Sequence, residues 1–559
     1  MLRDPTLVLV LAVAVGLWVP FARADWLVTN EGASYVWRTI EWATELRAGE
    51  LYPRWCPDFY GGYGSPLFIF YAPVIYGLAG ILTALSLDPF WALKAMTLLF
   101  SLVTGLGTYA LVFGETRRRD AAFLGAVAYL AAPYRIANLY QRGDLGEFAC
   151  IALLPAVLAL YRAAAAVARP ARARWLAASA AVIHAVTIMT HPVLGLWGTV
   201  LIGLVVAGTG VPLLRRGLWR RALLLVGALV CSQGLAAVYT IPAIAYRTAT
   251  HTAEMVVGYY HAPDNWIPLK ALFDSEQGGL KIGWLLVSSA IAVVLGLLIN
   301  FRMGRRALGW TFLTALLMAA THQRASWFWE PGRIPLAPFV QFPWRLFGPA
   351  ALTASVMLGI AMAAIFERAT ESARMAVAYA GAAALLLVVA WPSVNPEVRS
   401  TGGIASDSDA LRQEIESATD ADEYLPLAVA APPVAPRHDL VARAEGATAA
   451  VNSDGSHHAL VVRADRGGAV LHLALYGFPG WTVETTSGPA QARLDADESG
   501  LLRIHLPAAG SYRLQLRFGA TPAFRIGTFL SVLSLLALCL YLLRGSRFWI
   551  WPSRAVAHA

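Results

Sequence analysis

The sequence predicts a polytopic α-helical membrane protein of about twelve spans, with a small β-sandwich-like domain ahead of its last span. Three observations carry this reading. The chain is 57% hydrophobic and only 14% charged, whereas soluble domains carry roughly 25% charged residues. Apolar runs such as Leu285–Leu298 with its flanks and Phe524–Leu543 reach the ~20 residues that cross a bilayer. Over residues 393–523 the composition turns to Asp, Ser, Gly and Pro, with short alternating stretches that read as strands between turns.

The first span is expected over 6–23. Ala22-Arg23-Ala24 resembles a signal-peptidase site, but in a polytopic chain the reading is a retained helix. A first outer loop follows at 25–88. In it, Val36, Ile40, Ala43 and Leu46 fall at helical spacing, predicting an amphipathic helix over Ala33–Ala48, and Trp37 and Trp42 suit the headgroup layer. The apolar run Leu67–Leu87 is read as juxtamembrane, because spanning would place Arg117–Arg119 outside, against the positive-inside rule. Further spans are expected at 89–113, 120–134, 147–166, 175–190, 192–209, 222–245, 282–300, 307–321, 346–366 and 375–391, with outer loops at 135–146, 246–281 and 322–345. The organisation expected is a transmembrane domain 1–392, an extracytoplasmic β domain 393–523, a final span 524–545 and a cytoplasmic tail 546–559. Strands are expected at Val470–Tyr476, Trp481–Thr485, Leu501–Leu506 and Tyr512–Phe518.

The net charge of +9 points to no nucleic-acid partner, since the arginines sit in short loops between apolar runs, where they orient helices. Cys56, Cys150, Cys231 and Cys539 show no metal-ligand spacing, so neither a disulfide nor zinc is expected. There is no nucleotide-binding fingerprint and no internal repeat.

Candidate chemistry collects on one face. The first loop offers Glu31, Arg38, Glu41 and Arg54; the second Tyr134, Arg142, Asp144 and Glu147; the third His251, Glu254, His261 and Asp264; the fourth His322, Glu330 and Arg345. A carboxylate there can take a proton from an acceptor hydroxyl while arginines bind a phosphate leaving group. Each residue also has a plainer reading. Glu31 could serve a helix N-terminus, Arg38 and Glu41 a surface pair, Glu147 a cap, and Arg345 could snorkel to the interface. His184 and His191 could satisfy contacts between helices, and Gly61–Gly64 a turn.

The run from Glu31 to Pro73 (E-x3-Y-x2-R-x2-E, then LYPRW and YGGYGSPLFIFYAP), PYRIANLYQRGDLGE over 133–147, Thr190-His191, QFPWR over 341–345, Glu423–Pro426 and FPGW over 478–481 resemble a bacterial membrane-protein family. It is named for a "6-pyruvoyl-tetrahydropterin synthase-related domain" and belongs with the GT-C glycosyltransferase-like proteins. The resemblance implies a multi-pass protein of the bacterial inner membrane. Its expected activity is transfer of a sugar from a polyprenyl-phosphate carrier to an extracytoplasmic glycan or lipid acceptor. It matches Glu31 to the catalytic acidic residue after the first span, and places Arg38, Arg142, Glu147 and Arg345 where charged positions recur. Relatives often carry Asp there and His four residues later; this chain has Glu31 and Tyr35, so a His-assisted step is not implied. No metal ligand is assigned, and a divalent cation would be called for by a lipid-pyrophosphate donor. Glu31 is therefore expected to be catalytic, with Arg38, Glu41, Arg54, Arg142, Asp144, Glu147, His261 and Arg345 binding substrate. A non-catalytic relative that binds or assembles envelope glycans, and a lipid-linked glycan transporter, are the alternative readings.

Overall fold

The computed structural model describes residues 4–23, 26–27, 29–274, 280–390, 415, 421–433 and 435–543. The expected start of the β domain at 393 and the tail 546–559 lie outside the described residues. Among the described residues, six helices are long and apolar enough to cross a membrane: Pro5–Arg23, Pro89–Thr116, Leu145–Ala166, Pro192–Arg215, Pro343–Ile365 and Pro522–Leu543. A bent pair, Trp219–Leu235 and Ala237–Ala249, makes a seventh if its 60° break lies within one span. The chain is thus a multi-pass helical protein, but the count of twelve is not established. Some of the other expected spans are short helices: Arg119–Leu130 has 12 residues and Leu308–Ala320 13, while Glu371–Ala384 has 14 and continues as a π-helical stretch to Ala390. An apolar run marks burial in lipid or in protein alike, and Arg119–Leu130 shows the second, with every residue after Arg119 buried.

Burial divides the long helices. The apolar stretch of Pro343–Ile365 is 94% buried and that of Leu145–Ala166 72%, against 6% in Pro522–Leu543, so the first two form the centre and the last lies at the periphery. In the first loop, the predicted amphipathic helix forms as Gly32–Arg47. Leu67–Leu87 becomes a single turn, Leu67–Phe70, and an 11-residue helix, Val74–Ala84. At 1.5 Å per residue the second is about 16 Å long, too short to cross a bilayer. Its Gly80 lies against Trp42 of the preceding helix.

The C-terminal region is a sandwich of two antiparallel four-stranded sheets, β1-β4-β7-β6 and β2-β3-β8-β5. The strands are β1 (Val441–Glu445), β2 (Ala447–Asp454), β3 (His457–Ala464), β4 (Ala469–Tyr476), β5 (Trp481–Ser487), β6 (Arg493–Ala496), β7 (Leu501–Leu506) and β8 (Gly510–Phe518). Leu460, Val462, Leu514 and Leu516 face Leu471, Leu473, Ile504 and Leu506 across the interior, all nearly inaccessible. This is the alternation expected of a two-layer β domain. β4, β5, β7 and β8 fall where alternation predicts them. β2 has a mostly exposed run, AAVNSD, with little apolar pattern to detect.

The sandwich packs directly onto the first loop. Trp55 is fully buried, with Trp481 at 5.2 Å and Phe518 at 5.0 Å between ring centroids. Gly64 has φ +81°, and a Cβ there would sit 2.4 Å from the Trp55 indole nitrogen; the glycine run is therefore a turn fitted beneath a ring. Backbone hydrogen bonds from Tyr476 to Tyr63 and from Arg437 to Gly61, each 2.9 Å, extend the contact. Glu45 of the Gly32–Arg47 helix accepts from both the amide (2.7 Å) and the hydroxyl of Ser456. Burial pushes the Glu45 carboxyl up to about 7, against the two Ser456 hydrogen bonds.

A carboxyl raised from 4.5 to about 7 stabilises the docked state fully below the lower value and loses that contribution as pH rises through the higher one. Proteolytic release of the sandwich is therefore expected to speed up as the pH is raised through about 7, and the Glu45→Gln protein should lack that dependence. Glu45→Ala leaves Ser456 without its acceptor and should weaken docking by about 1–3 kcal/mol at any pH.

Candidate functional site

A cavity of about 570 Å³ opens on the face that carries the sandwich, and its wall includes Glu31, Arg38, Arg142, His191 and Arg345. Four of the sequence-predicted residues, far apart in the chain, thus share one space. Glu31 is the residue just before the Gly32–Arg47 helix, yet its side chain makes no capping hydrogen bond. Tyr71 donates to it at 3.4 Å. Its carboxylate faces the cavity instead of serving the helix end. Burial, with help from the Asp144 charge, raises the Glu31 carboxyl to about 7, while Arg142, Arg38 and Arg345 pull the other way.

Arg142 ends a π-helical turn, Asn138–Arg142, closed by Gly143 at φ +64°. A Cβ on Gly143 would lie 2.7 Å from the Gly32 amide nitrogen. Glycine therefore lets this turn rest on the start of the Glu31 helix, where the Glu31 amide donates to the Arg142 carbonyl at 2.9 Å. Asp144 caps the next helix, Leu145–Ala166, accepting from the Glu147 amide at 2.8 Å, the ordinary N-cap arrangement. Glu147 is not itself the cap. It accepts from Arg142 at 2.7 Å and from the Tyr134 hydroxyl, and stands 3.6 Å from Arg345 Nε.

Arg345 comes from the short turn Pro343–Leu346 ahead of the central helix. It is buried instead of snorkelling, and donates to Gln341 Oε1 at 2.7 Å. Gln341 has φ +58°, a conformation that costs a non-glycine residue roughly 1–3 kcal/mol and recurs at functional sites. Among the described residues the Arg345 Nε–H has no hydrogen-bond partner, the Glu147 carboxylate standing 3.6 Å away. His191 caps the Pro192–Arg215 helix, its Nδ1 accepting from Leu194 at 3.0 Å, which directs Nε2 to Asp144 at 3.5 Å. Although burial disfavours its charge, Asp144 is held well below the usual carboxylate range by His191, Arg142 and Arg345.

The remaining predicted residues divide. Arg38 and Glu41 are not at the surface: both are almost wholly buried, and the Arg38 guanidinium lies 3.7 Å from the centre of the Tyr71 ring. Glu41 accepts from the Asp58 amide at 3.1 Å and is not on the cavity wall. Arg54 points to the sandwich instead, pairing with Glu50 at 3.1 Å and donating to the Gly519 carbonyl at 2.7 Å. His261 pairs with Asp264 at 2.6 Å outside the cavity lining, although its neighbours Tyr259 and Tyr260 belong to it. His184 lies between Thr199 (3.0 Å) and Ser232 (2.9 Å), as expected of a histidine between helices. Tyr35, at the position where the sequence resemblance leads one to expect a histidine, hydrogen-bonds Asp144 at 3.2 Å.

Sequence reasoning passed over Glu423 and Tyr424, which bring the wall of the cavity in from the C-terminal side. Tyr424 stacks on Phe70 with centroids 5.2 Å apart. Their signal was the Glu423–Pro426 motif, which gives no hint of position. Asp144, Glu147 and His191 also form a group whose ligand atoms lie within 4.8 Å of one another. That donor set could suit a borderline divalent ion, but its carboxylates already take hydrogen bonds from Arg142, which a cation would have to displace.

No family model and no curated protein matches the chain. Among solved structures, it is similar to the oligosaccharyltransferase of Archaeoglobus fulgidus crystallised with zinc and sulfate, at 13% identity and a TM-score of 0.37. That match covers 74% of this chain and 53% of the archaeal one, so this chain spans about half of that enzyme. So distant a likeness carries no argument about activity.

Removing one member of a buried pair leaves the other uncompensated, typically at a cost of 3–5 kcal/mol. Glu147→Ala leaves Arg142 with Asp144 as its remaining carboxylate and takes from Arg345 the carboxylate beside its Nε, so a loss of up to about 3–5 kcal/mol is expected in thermal or denaturant unfolding of the purified protein. Glu147→Gln, which keeps an acceptor for Arg142, should cost less.

Proposed function

We propose that the chain is an integral-membrane glycosyltransferase of the GT-C type that moves a sugar from a polyprenyl-phosphate carrier to an acceptor on the extracytoplasmic face. The observation that supports this best is the convergence of Glu31, Arg38, Arg142 and Arg345 on one cavity. The sequence motifs carrying these residues support it independently. The orientation rests on the arginine clusters, and a bacterial inner membrane on the resemblance.

In the proposed reaction the acceptor hydroxyl attacks the anomeric carbon and gives its proton to Glu31. The new bond to the acceptor oxygen forms as the bond from that carbon to the phosphate oxygen breaks. The lipid phosphate leaves with the electron pair. Arg345, on the cavity wall, receives the departing phosphate, and Arg142 adds its charge. Glu147 holds both guanidiniums in place. A base poised near 7 suits proton removal at neutral pH. Arginines can neutralise a monophosphate leaving group without a metal ion, so the reading assigns no metal. Arg38 would face the donor or acceptor from the first loop. Tyr259, Tyr260 and Phe342 form an aromatic cluster on the wall, with centroids 5.3–6.1 Å apart, and would bound the sugar or lipid.

The test is transfer from a polyprenyl-phosphate sugar in membranes containing the protein. Glu31→Gln should lower turnover by about 10²–10⁴-fold; transfer at the unaltered rate removes Glu31 as the base. Glu31 must be ionised to accept a proton, so the rate should climb with pH below about 7 and level off above it, following the raised carboxyl. Arg345→Gln should weaken donor binding more than acceptor binding, and an equal loss for both would count against its phosphate role.

A further inference from the structure

A second cavity, of about 580 Å³, lies at the far end of the same helices. The Leu145–Ala166 helix carries Glu147 of the first site in its opening turn and Arg162 at its other end. Its 22 residues make it about 33 Å long. The Pro192–Arg215 helix likewise runs from Val193 on the first cavity to Thr209 and Leu213 on the second. The two cavities therefore open toward opposite sides of the membrane region.

Five arginines from five segments line the second cavity: Arg117, Arg162, Arg172, Arg216 and Arg221, with Glu115 as its one carboxylate. Glu115 is committed to Arg162 through two hydrogen bonds of 2.6 and 2.9 Å. Arg221 donates to the Ala165 carbonyl at 2.7 Å. Arg117, Arg172 and Arg216 are exposed and form no ion pair among the described residues. Apart from Thr209, which accepts from Arg162 at 3.0 Å, the rest of the wall is apolar, with Leu111, Leu176 and Leu213 among alanines. Loop arginines that only orient helices have no need to converge on one apolar-walled hollow. A surplus of guanidiniums beside an apolar wall, at the end of membrane helices, matches a molecule with a phosphate at one end and acyl chains at the other.

We propose that this cavity binds the headgroup of an anionic glycerophospholipid from the leaflet opposite the candidate active site. Arg117, Arg172 and Arg216 hold the phosphate, and the acyl chains lie along the apolar wall. The site is separate from the sugar-transfer reading and stands whether or not that reading holds.

The experiment follows thermal unfolding of the purified full chain in detergent, with added phosphatidylglycerol, phosphatidylcholine or inorganic phosphate, and counts retained lipid by native mass spectrometry. Phosphatidylglycerol at saturation should raise the midpoint by about 5 °C, with one lipid retained and no comparable shift from the other two additives. The triple variant Arg117→Gln, Arg172→Gln, Arg216→Gln should lose both the shift and the retained lipid. Its substitutions are at exposed side chains, so the variant is expected to fold. Arg302→Gln with Arg305→Gln removes the same kind of charge outside the cavity and should keep the shift. Equal stabilisation by phosphatidylcholine would overturn the proposal, as would an equal effect of phosphate alone, which would point to a soluble anion. So would a triple variant that still retains the lipid.

Discussion

The site depends on one buried carboxylate, Glu147, in the first turn of a helix at the centre of the membrane domain. A negative charge is tolerated there because the helix N-terminus favours it and because guanidiniums from two other segments come to meet it. Arg142 and Arg345 are 203 positions apart by number, yet both are placed against the same Oε2 atom. The Asp144 cap sets where that helix begins, Gly143 lets the preceding turn lie on the Glu31 helix, and the turn before the central helix delivers Arg345. Each of these features would lose its purpose if Glu147 were elsewhere. Isolated in a low-dielectric interior, any of the three charged groups would be costly; together they form a rigid wall.

The same geometry divides work among the acids. Asp144 is occupied by His191 and Arg142, and Glu147 by Arg142 and Tyr134. Arginine charge held by those two carboxylates is less able to depress a third. Glu31 is consequently the acid whose carboxyl burial can lift to about 7. Environments that push like groups apart are how a site obtains an anchoring acid and a titrating one from similar side chains.

Much of this was legible in the sequence, and the limits have physical causes. Charge in a loop beside an apolar run marks a membrane face, and that offered Glu31, Arg38, Arg142, Glu147 and Arg345 among a wider set, which the family resemblance narrowed. It could not say which way a loop side chain turns. Arg54 carries the same signal as Arg38 but turns to Glu50 and the Gly519 carbonyl, while Arg38 lies over Tyr71. Glu423 and Tyr424 reach the cavity through contacts with residues hundreds of positions away, such as the 5.2 Å stack on Phe70, which no local pattern encodes. The span count suffered from a similar ambiguity. Arg119–Leu130 is buried in protein and, at 12 residues, about 18 Å long, and hydropathy alone reveals neither.

The sandwich and the cavity are mechanically joined, and this constrains how the site can work. Tyr60 of the first loop donates to Asp422 at 2.9 Å, two residues before Tyr424 on the cavity wall. The neighbouring Gly61 and Tyr63 take hydrogen bonds from the sandwich. The loop that presents Glu31 and Arg38 is therefore gripped on one side by membrane helices and on the other by the β domain. A continuous apolar core from Phe59 and Trp55 into Leu471 and Phe518 makes that grip stiff, because close-packed interiors transmit displacement instead of absorbing it. A change in docking at Glu45, on the same helix as Glu31 and Arg38, would reach the cavity along one rigid element. Rigid support of this kind favours a site that holds its charges fixed before a substrate arrives, which is the condition under which oriented charges stabilise a developing leaving group most.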